Sequence, residues 1–224
     1  MMLSAKNIFK TFSNGKNTLS VLNDLSIEIL ENDFITIMGP SGIGKSTFLN
    51  ILSTLDRPDS GLILFDGKNL STMNSNELSN IRLHLIGFIF QFHHLIPEFN
   101  ILDNVTLPNL IANKKPDFFK AKELLDYVGI IEKINNYPSQ LSGGEKARVA
   151  VARSLMNNPK IIFADEPTGN LDLENAEILM NLFKKVKKDF FQSIVIATHN
   201  PEVAKLGNKK FFMLKNKLKT IDNI

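Results

Sequence analysis

Three short stretches hold residue types that can do chemistry. The first is GPSGIGKST at 39–47, which matches G-x-x-x-x-G-K-[S/T] after an apolar run and before a helical pattern. Its glycines let the backbone curl so that the amides of Gly42, Ile43, Gly44 and Lys45 point inward at phosphate oxygens. Lys45 brings a cation to the outer phosphates, and Ser46 offers a hydroxyl to Mg²⁺. The whole loop, Gly39, Pro40, Ser41, Gly42, Ile43, Gly44, Lys45, Ser46 and Thr47, is a candidate nucleotide-binding element.

The second stretch, IIFADEP at 161–167, is an apolar strand ending in two carboxylates. Asp165 stands where a phosphate-loop protein holds its Mg²⁺. Glu166, one residue on, faces elsewhere and is placed to take a proton from an attacking water. The third, LSGGEKARVAVARSL at 141–155, starts a helix with Ser142, Gly143 and Gly144. Read alone it is an N-cap with a flexible lead-in. A helix start of that composition also attracts anions by the same physics as the first loop. Two such starts about a hundred residues apart leave two possibilities. The chain binds two anions, or each copy lends its second site to the nucleotide of another copy.

These loops need a scaffold, and the apolar pattern supplies one. FITIM (34–38), IGFIF (86–90), IIFA (161–164) and IVIA (194–197) are apolar on both faces, as buried strands of a parallel sheet are. Ile178, Leu179, Leu182, Phe183 and Val186 recur at helical spacing and predict a helix over 174–188. Asp66-Gly67 marks a hairpin turn near the N-terminal strands. Residues from about 92 to 158 read as mainly helical, broken by Pro97, Pro108, Pro116, Pro138 and Pro159. The expected architecture is an α/β core interrupted by a helical insertion.

Composition narrows the function classes. The net charge of +3 gives no argument for a nucleic-acid partner, and the lysines of 184–188 and 209–219 alternate with apolar residues as solvated faces do. Cysteine is absent, which excludes disulfides and Cys-ligated metal centres and fits the cytosol. No secretion signal and no window of 18 uninterrupted apolar residues is present, so at a membrane another chain must supply the crossing. His84, His93 and His94 lack metal-ligand spacing and read as structural or surface residues.

GPSGIGKST, LSGGE, IIFADEP and ATH, in that order, resemble the ATPase subunits of ABC transporters, across nearly the whole chain. The resemblance implies a P-loop NTPase fold: a nucleotide-binding core over 1–91 and 159–224, with an N-terminal antiparallel β subdomain, and a helical signature subdomain over 92–158. It implies ATP and Mg²⁺ as cofactors. It also implies a head-to-tail homodimer in which each ATP lies between one P-loop and the other subunit's Ser142, Gly143 and Gly144. By position, Gln91 resembles the glutamine that senses Mg²⁺ and attacking water. His199 resembles the switch histidine, Asp172 the D-loop aspartate, and Phe12 the aromatic that stacks on adenine. Glu145 replaces the family's usual glutamine. A carboxylate there repels phosphate, so it is expected to turn away toward Arg148.

Within FIFQFHHLIPEFNILDNV at 88–105, the run HHLIPE, together with LSGGE, ADEPTGNLD and KKP at 114–116, resembles the ATPase subunits of bacterial lipoprotein-releasing transporters. That implies a peripheral location at the cytoplasmic face of the inner membrane, with integral membrane subunits as partners. Phe92 to Phe99 are expected to rim the groove that receives the membrane subunit, with Leu95 and Ile96 exposed in it. ATPases of macrolide or peptide exporters, and cell-division ATPases that act as regulators, share much of the pattern. A soluble P-loop kinase does not need the LSGGE helix.

Overall fold

The computed structural model describes residues 1–15 and 17–221. Four strands form an antiparallel sheet: β1 (Leu3–Asn14), β2 (Asn17–Ile29), β4 (Ser60–Phe65) and β5 (Lys68–Asn69), in the order β2-β1-β4-β5. Between β2 and β4 lie β3 (Phe34–Met38) and α1 (Lys45–Leu52). The β4–β5 hairpin turns through Asp66 and Gly67, both at positive φ (48° and 77°), which is why Asp-Gly suits it.

The second sheet contains β3, β6 (Ile86–Ile89), β7 (Ile161–Asp165), β8 (Ser193–Thr198), β9 (Lys209–Leu214) and β10 (Lys217–Thr220). Its order is β10-β9-β3-β8-β7-β6, all parallel except the edge pair β9–β10. The helices are α2 (Ser75–Leu85), α3 (Ile101–Ile111), α4 (Phe118–Tyr127), α5 (Gly143–Leu155), α6 (Leu173–Phe190) and α7 (Pro201–Ala204).

Both faces of this sheet are covered, which explains the unbroken apolar runs. On one face Ile35, Ile37, Phe163, Val195 and Ala197 pack with α1 residues and the antiparallel sheet. On the other, Phe34, Ile162, Ala164, Ile194 and Ile196 pack with residues of α3, α4, α5 and α6. The helices between residues 101 and 155 therefore bury their apolar faces in a cluster continuous with the sheet.

Three details differ from the sequence expectation. The strand IGFIF ends at Ile89, leaving Phe90 in the following loop. The helix expected over 174–188 runs from Leu173 to Phe190, with Ile178 on its exposed side while Leu179, Leu182, Phe183 and Val186 are buried. The sheet is mixed at one edge rather than wholly parallel.

Register decides where function can sit. Met38 lies opposite Thr198, Asp165 opposite Ala197, and Ile89 opposite Ala164. The carboxyl ends of β3, β6, β7 and β8 are thus level, and the loops leaving them open onto one rim. Ligands of open α/β sheets bind at that end.

Candidate active site

The loop from β3 to α1 wraps the start of the helix. Gly44 caps α1 at φ 106°, a left-handed conformation that favours glycine. A Cβ there would lie 2.9 Å from Val21 Cγ1, so the neighbouring strand also excludes a side chain. Lys45 is buried, and its ammonium donates to the carbonyls of Gly39 (2.7 Å) and Pro40 (3.0 Å). Ile43 packs partly buried on the core. A pocket of about 380 Å³ opens here, lined by Ser41, Gly42, Gly44, Lys45, Ser46 and Thr47 of the loop. Gln91, Glu166 and His199 line it too, as do Phe12 and Val21. Phe12 is 46% exposed, with the Lys10 ammonium 5.3 Å from its ring.

The backbone turns left-handed at Glu166 (φ 44°), an uncommon conformation for a side-chain-bearing residue. That turn separates two adjacent carboxylates. Glu166 is buried, and its Oε1 lies 3.2 Å from Lys45 Nζ. Its Oε2 accepts from the His199 amide (3.1 Å) and stands 2.9 Å from His199 Nδ1. Asp165 instead faces Ser46. Burial pushes its carboxyl up from the usual range; a Ser46 hydrogen bond opposes this, the Glu166 charge adds to it, and Lys45 opposes it. Its buried Oδ1 has no hydrogen-bond partner. Among the described residues no cluster of three His, Cys, Asp or Glu side chains is arranged to hold a metal. An unpartnered carboxylate oxygen beside the Ser46 hydroxyl, with Gln91 lining the same pocket as Ser46, nevertheless offers hard oxygen donors. It fits Mg²⁺ arriving with phosphates, which needs few protein ligands.

Ser142, Gly143 and Gly144 do not line this pocket. They form the start of α5, with Ser142 and Gly143 exposed. Ser142 Oγ accepts from the Glu145 amide, and Glu145 Oε2 accepts from the Ser142 amide at 2.7 Å, a reciprocal capping box. Glu145 Oε1 lies 3.1 Å from Lys133 Nζ. The Ser142 amide, chiefly, holds its carboxyl below the usual range, with Lys133 contributing. The expected pairing with Arg148 is therefore not the one made. The carboxylate folds back onto its own cap because that satisfies an orphan helix donor.

Beside this helix start, Asp172 caps α6 by accepting from the Asn175 amide (2.8 Å) and is exposed. Gly144 approaches the same turn so closely that a Cβ would fall 2.0 Å from Asn175 Oδ1. Asn170 Nδ2 donates to the Gln91 carbonyl (3.4 Å), so the turn before α6 touches both the α5 start and the loop carrying Gln91.

The stretch after β6 is built differently from its sequence reading. His93 and His94 adopt positive φ (63° and 45°), and Arg153 donates to both of their carbonyls. His93 is buried, its ring 3.4 Å from the Phe90 carbonyl and also bonded to the Gly143 backbone; burial lowers its basicity. Asn104, fully buried, binds the Ile96 amide and carbonyl and the Phe99 carbonyl, which fixes the turn around Pro97. A groove of about 420 Å³ lies next to this segment. Its walls include Leu83, Phe88, Phe90, His94, Leu107 and Ile111. Of residues 92–99 only His94 reaches it, stacked on Phe90 with centroids 4.5 Å apart. Leu95 and Ile96 are half-buried, with Leu95 against the helical core, so the expectation that they rim the groove is corrected.

Sequence reading missed Val21, Lys133, Arg153 and Asn104. Asn104 carried a signal, since it sits at helical spacing among the buried Ile101 and Val105, where a polar residue needs partners.

A phosphate loop at a strand end, facing a strand-borne carboxylate pair, defines a P-loop NTPase. Residues 22–169 match the family model described as ABC transporter. The chain is 47% identical over 214 residues to the lipoprotein-releasing system ATP-binding protein LolD of Cytophaga hutchinsonii, covering 95% of this chain and 96% of that one. It is 43% identical over 210 residues to MJ1508 of Methanocaldococcus jannaschii, an uncharacterized ABC transporter ATP-binding protein, covering 93% of each. Its structure superposes on the dimeric, post-hydrolysis ATP-binding cassette MJ0796 bound to ADP and Pi, with a TM-score of 0.91, 36% identity and full coverage of both chains. The chain belongs to the ABC transporter ATP-binding family, and it is an ATP-hydrolysing transporter subunit.

Proposed function

We propose that this subunit powers a lipoprotein-releasing transporter from the cytoplasmic face of the inner membrane, as a head-to-tail homodimer docked on integral membrane subunits. The observation that carries the catalytic half is the pocket in which Lys45, Ser46, Gln91, Glu166 and His199 converge while Ser142 stays outside, exposed. That separation is what a site completed by a second copy requires. The loop amides and Lys45 bind the ATP phosphates. Phe12 stacks on the base, keeping the aromatic face without a hydroxyl. Ser46, Asp165 and Gln91 would hold Mg²⁺, which neutralises charge on the outer phosphates when bound. Glu166 accepts the proton of the attacking water, and His199, held against Glu166, orients toward the γ-phosphate. Ser142, Gly143 and Gly144 of the opposite copy present a helix start to that phosphate, and Asp172 lies at the interface. The core over 1–91 and 159–224 carries the phosphate loop, and the helical segment over 92–158 carries the α5 start.

The cargo class rests on the relatives named for lipoprotein release, at 42–47% identity over at least 92% of this chain. Among the described residues no helix is long and apolar enough to cross a membrane. The groove beside Phe90 and Ile111, apolar-walled and next to the segment that follows Gln91, supports docking of a membrane subunit there. The second reading is the ATPase of a related exporter; the family match and MJ1508, whose description names no cargo, are equally compatible with it. Affinity purification from membranes separates the two, followed by ATP-driven release assayed in vesicles made with the co-purified complex. Release of acylated lipoprotein supports the first reading. A complex that hydrolyses ATP and moves another substrate overturns it.

A further inference from the structure

Between the end of α3 and the first turn of α4, four large apolar side chains are solvent-facing within ten residues. They are Leu110 (45% exposed), Ile111 (60%), Phe118 (46%) and Phe119 (75%). Neither phenylalanine belongs to the two core clusters; the buried side of α4 is Ala121, Leu124 and Leu125. Lysine surrounds them. Lys114, Lys115 and Lys122 are exposed, and none of the three has an ion-pair partner among the described residues. Lys122 follows Phe118 by four residues and Phe119 by three, so it shares their helical face. Over residues 110–122 four lysines stand against one acid, Asp117, which is engaged as the α4 cap through the Lys120 amide (2.9 Å). Glu123 and Asp126 lie further along α4.

The segment is held in place before any partner arrives. Asn109 accepts the Lys114 amide on its carbonyl and the Asp117 amide on its side chain, both at 3.0 Å. Its own amide donates to Asn157, which in turn donates to the Pro108 carbonyl. Lys120 is tied to the Met156 carbonyl and to Asn158, each at 2.7 Å. Asn157, Pro108 and Ile111 also line the groove beside Phe90. A fixed, basic, aromatic surface is therefore continuous with the groove.

We propose that residues 110–122 contact the anionic membrane surface, with Phe118 and Phe119 at headgroup level and Lys114, Lys115 and Lys122 against lipid phosphates. The inference rests on the reading that this chain works against a membrane. Charge decides the occupant: exposed aromatics among unpaired lysines match an interfacial layer that is apolar below and negatively charged above. The long lysine stems cover apolar surface while their ammonium groups stay at the phosphates. Because the segment is already ordered, binding loses little conformational freedom.

The test is co-sedimentation of the purified chain with phosphatidylcholine vesicles, with and without phosphatidylglycerol, at rising salt. The chain is expected to prefer the phosphatidylglycerol vesicles and to be released by salt. Lys114→Glu with Lys115→Glu should weaken that binding by about tenfold or more. Phe119→Ser should weaken it on both vesicle types, and ATP hydrolysis by either variant should match the parent. Equal binding to the two vesicles, binding to neither, or variants that bind like the parent would overturn the proposal. So would variants that keep vesicle binding but no longer capture an integral membrane protein in detergent, since the patch would then be a protein contact. Vesicle binding is read without ATP, so a failure of the ATPase reading shows separately in the hydrolysis assay.

Discussion

Glu166→Gln probes the centre of the site with almost no change of shape. The carboxylate lies 3.2 Å from Lys45 Nζ and 2.9 Å from His199 Nδ1, so one substitution touches three functions. As the proton acceptor, its loss should slow hydrolysis by on the order of a hundredfold or more. A hundredfold corresponds to about 2.7 kcal/mol of barrier. As the charged partner of a buried lysine, its loss should lower stability. Stranding one member of a buried pair costs about 3–5 kcal/mol. Here the Gly39 and Pro40 carbonyls still hold the ammonium, so about 1–3 kcal/mol is expected. For a chain of this size that is a fall of a few degrees, at about 2–4 °C per kcal/mol. As a competitor for Lys45, its loss should help ATP: the phosphates no longer displace a carboxylate, so affinity rises and the ATP-bound dimer persists. Steady-state hydrolysis, melting without nucleotide, equilibrium ATP binding and size-exclusion mass with ATP measure the three effects. Near-normal turnover would refute the assignment of Glu166, and weaker ATP binding would refute the competition with Lys45.

Ser142→Arg should leave ATP affinity of the single subunit nearly intact while abolishing dimerisation and turnover; loss of ATP binding as severe as in Lys45→Ala would sink the head-to-tail arrangement. Gly144→Ala puts a methyl into Asn175, crowding its Cβ as well as its amide, and should destabilise by about 1–3 kcal/mol. Adding Asn175→Ala should recover part of that in a double-mutant cycle by chemical denaturation, whereas strict additivity would deny the contact. Leu95→Ser with Ile96→Ser should lower the melting temperature, because both side chains are half-buried; an unchanged melt with loss from the membrane fraction would restore them to the groove.

The loops that line the candidate site were legible because their chemistry is local. A glycine-rich turn needs its own glycines, and GPSGIGKST states them in order. The four sheet strands were legible because burial on both faces leaves them almost wholly apolar; the one polar residue in the four runs, Thr36, is buried and donates to the Ala204 carbonyl. What escaped was set by contacts distant in sequence. Glu145 pairs with Lys133, twelve residues away, although its other partner, the Ser142 amide, belongs to a local S-x-x-E capping box that the sequence did spell out. Leu95 and Ile96 read as exposed because they sit among histidines and a proline. Their burial is imposed by Asn104 and Arg153, residues that only the fold brings to that turn. Val21 reaches the pocket from β2, and nothing in its own stretch marks it.

Helix α5 joins two places that no single side chain could span. Its 13 residues amount to about 20 Å of rod at 1.5 Å per residue. One end presents Gly143 and Gly144, and the other carries Arg153 into the groove beside Phe90. Val149, Ala150, Val151 and Ala152 between them are fully enclosed, so the rod cannot bend or slip without repacking the cluster around it. If a partner at the groove shifts this helix, the enclosed middle makes both ends move together, and a glycine at Ala150, by loosening that middle, would be expected to weaken the link while leaving both ends intact.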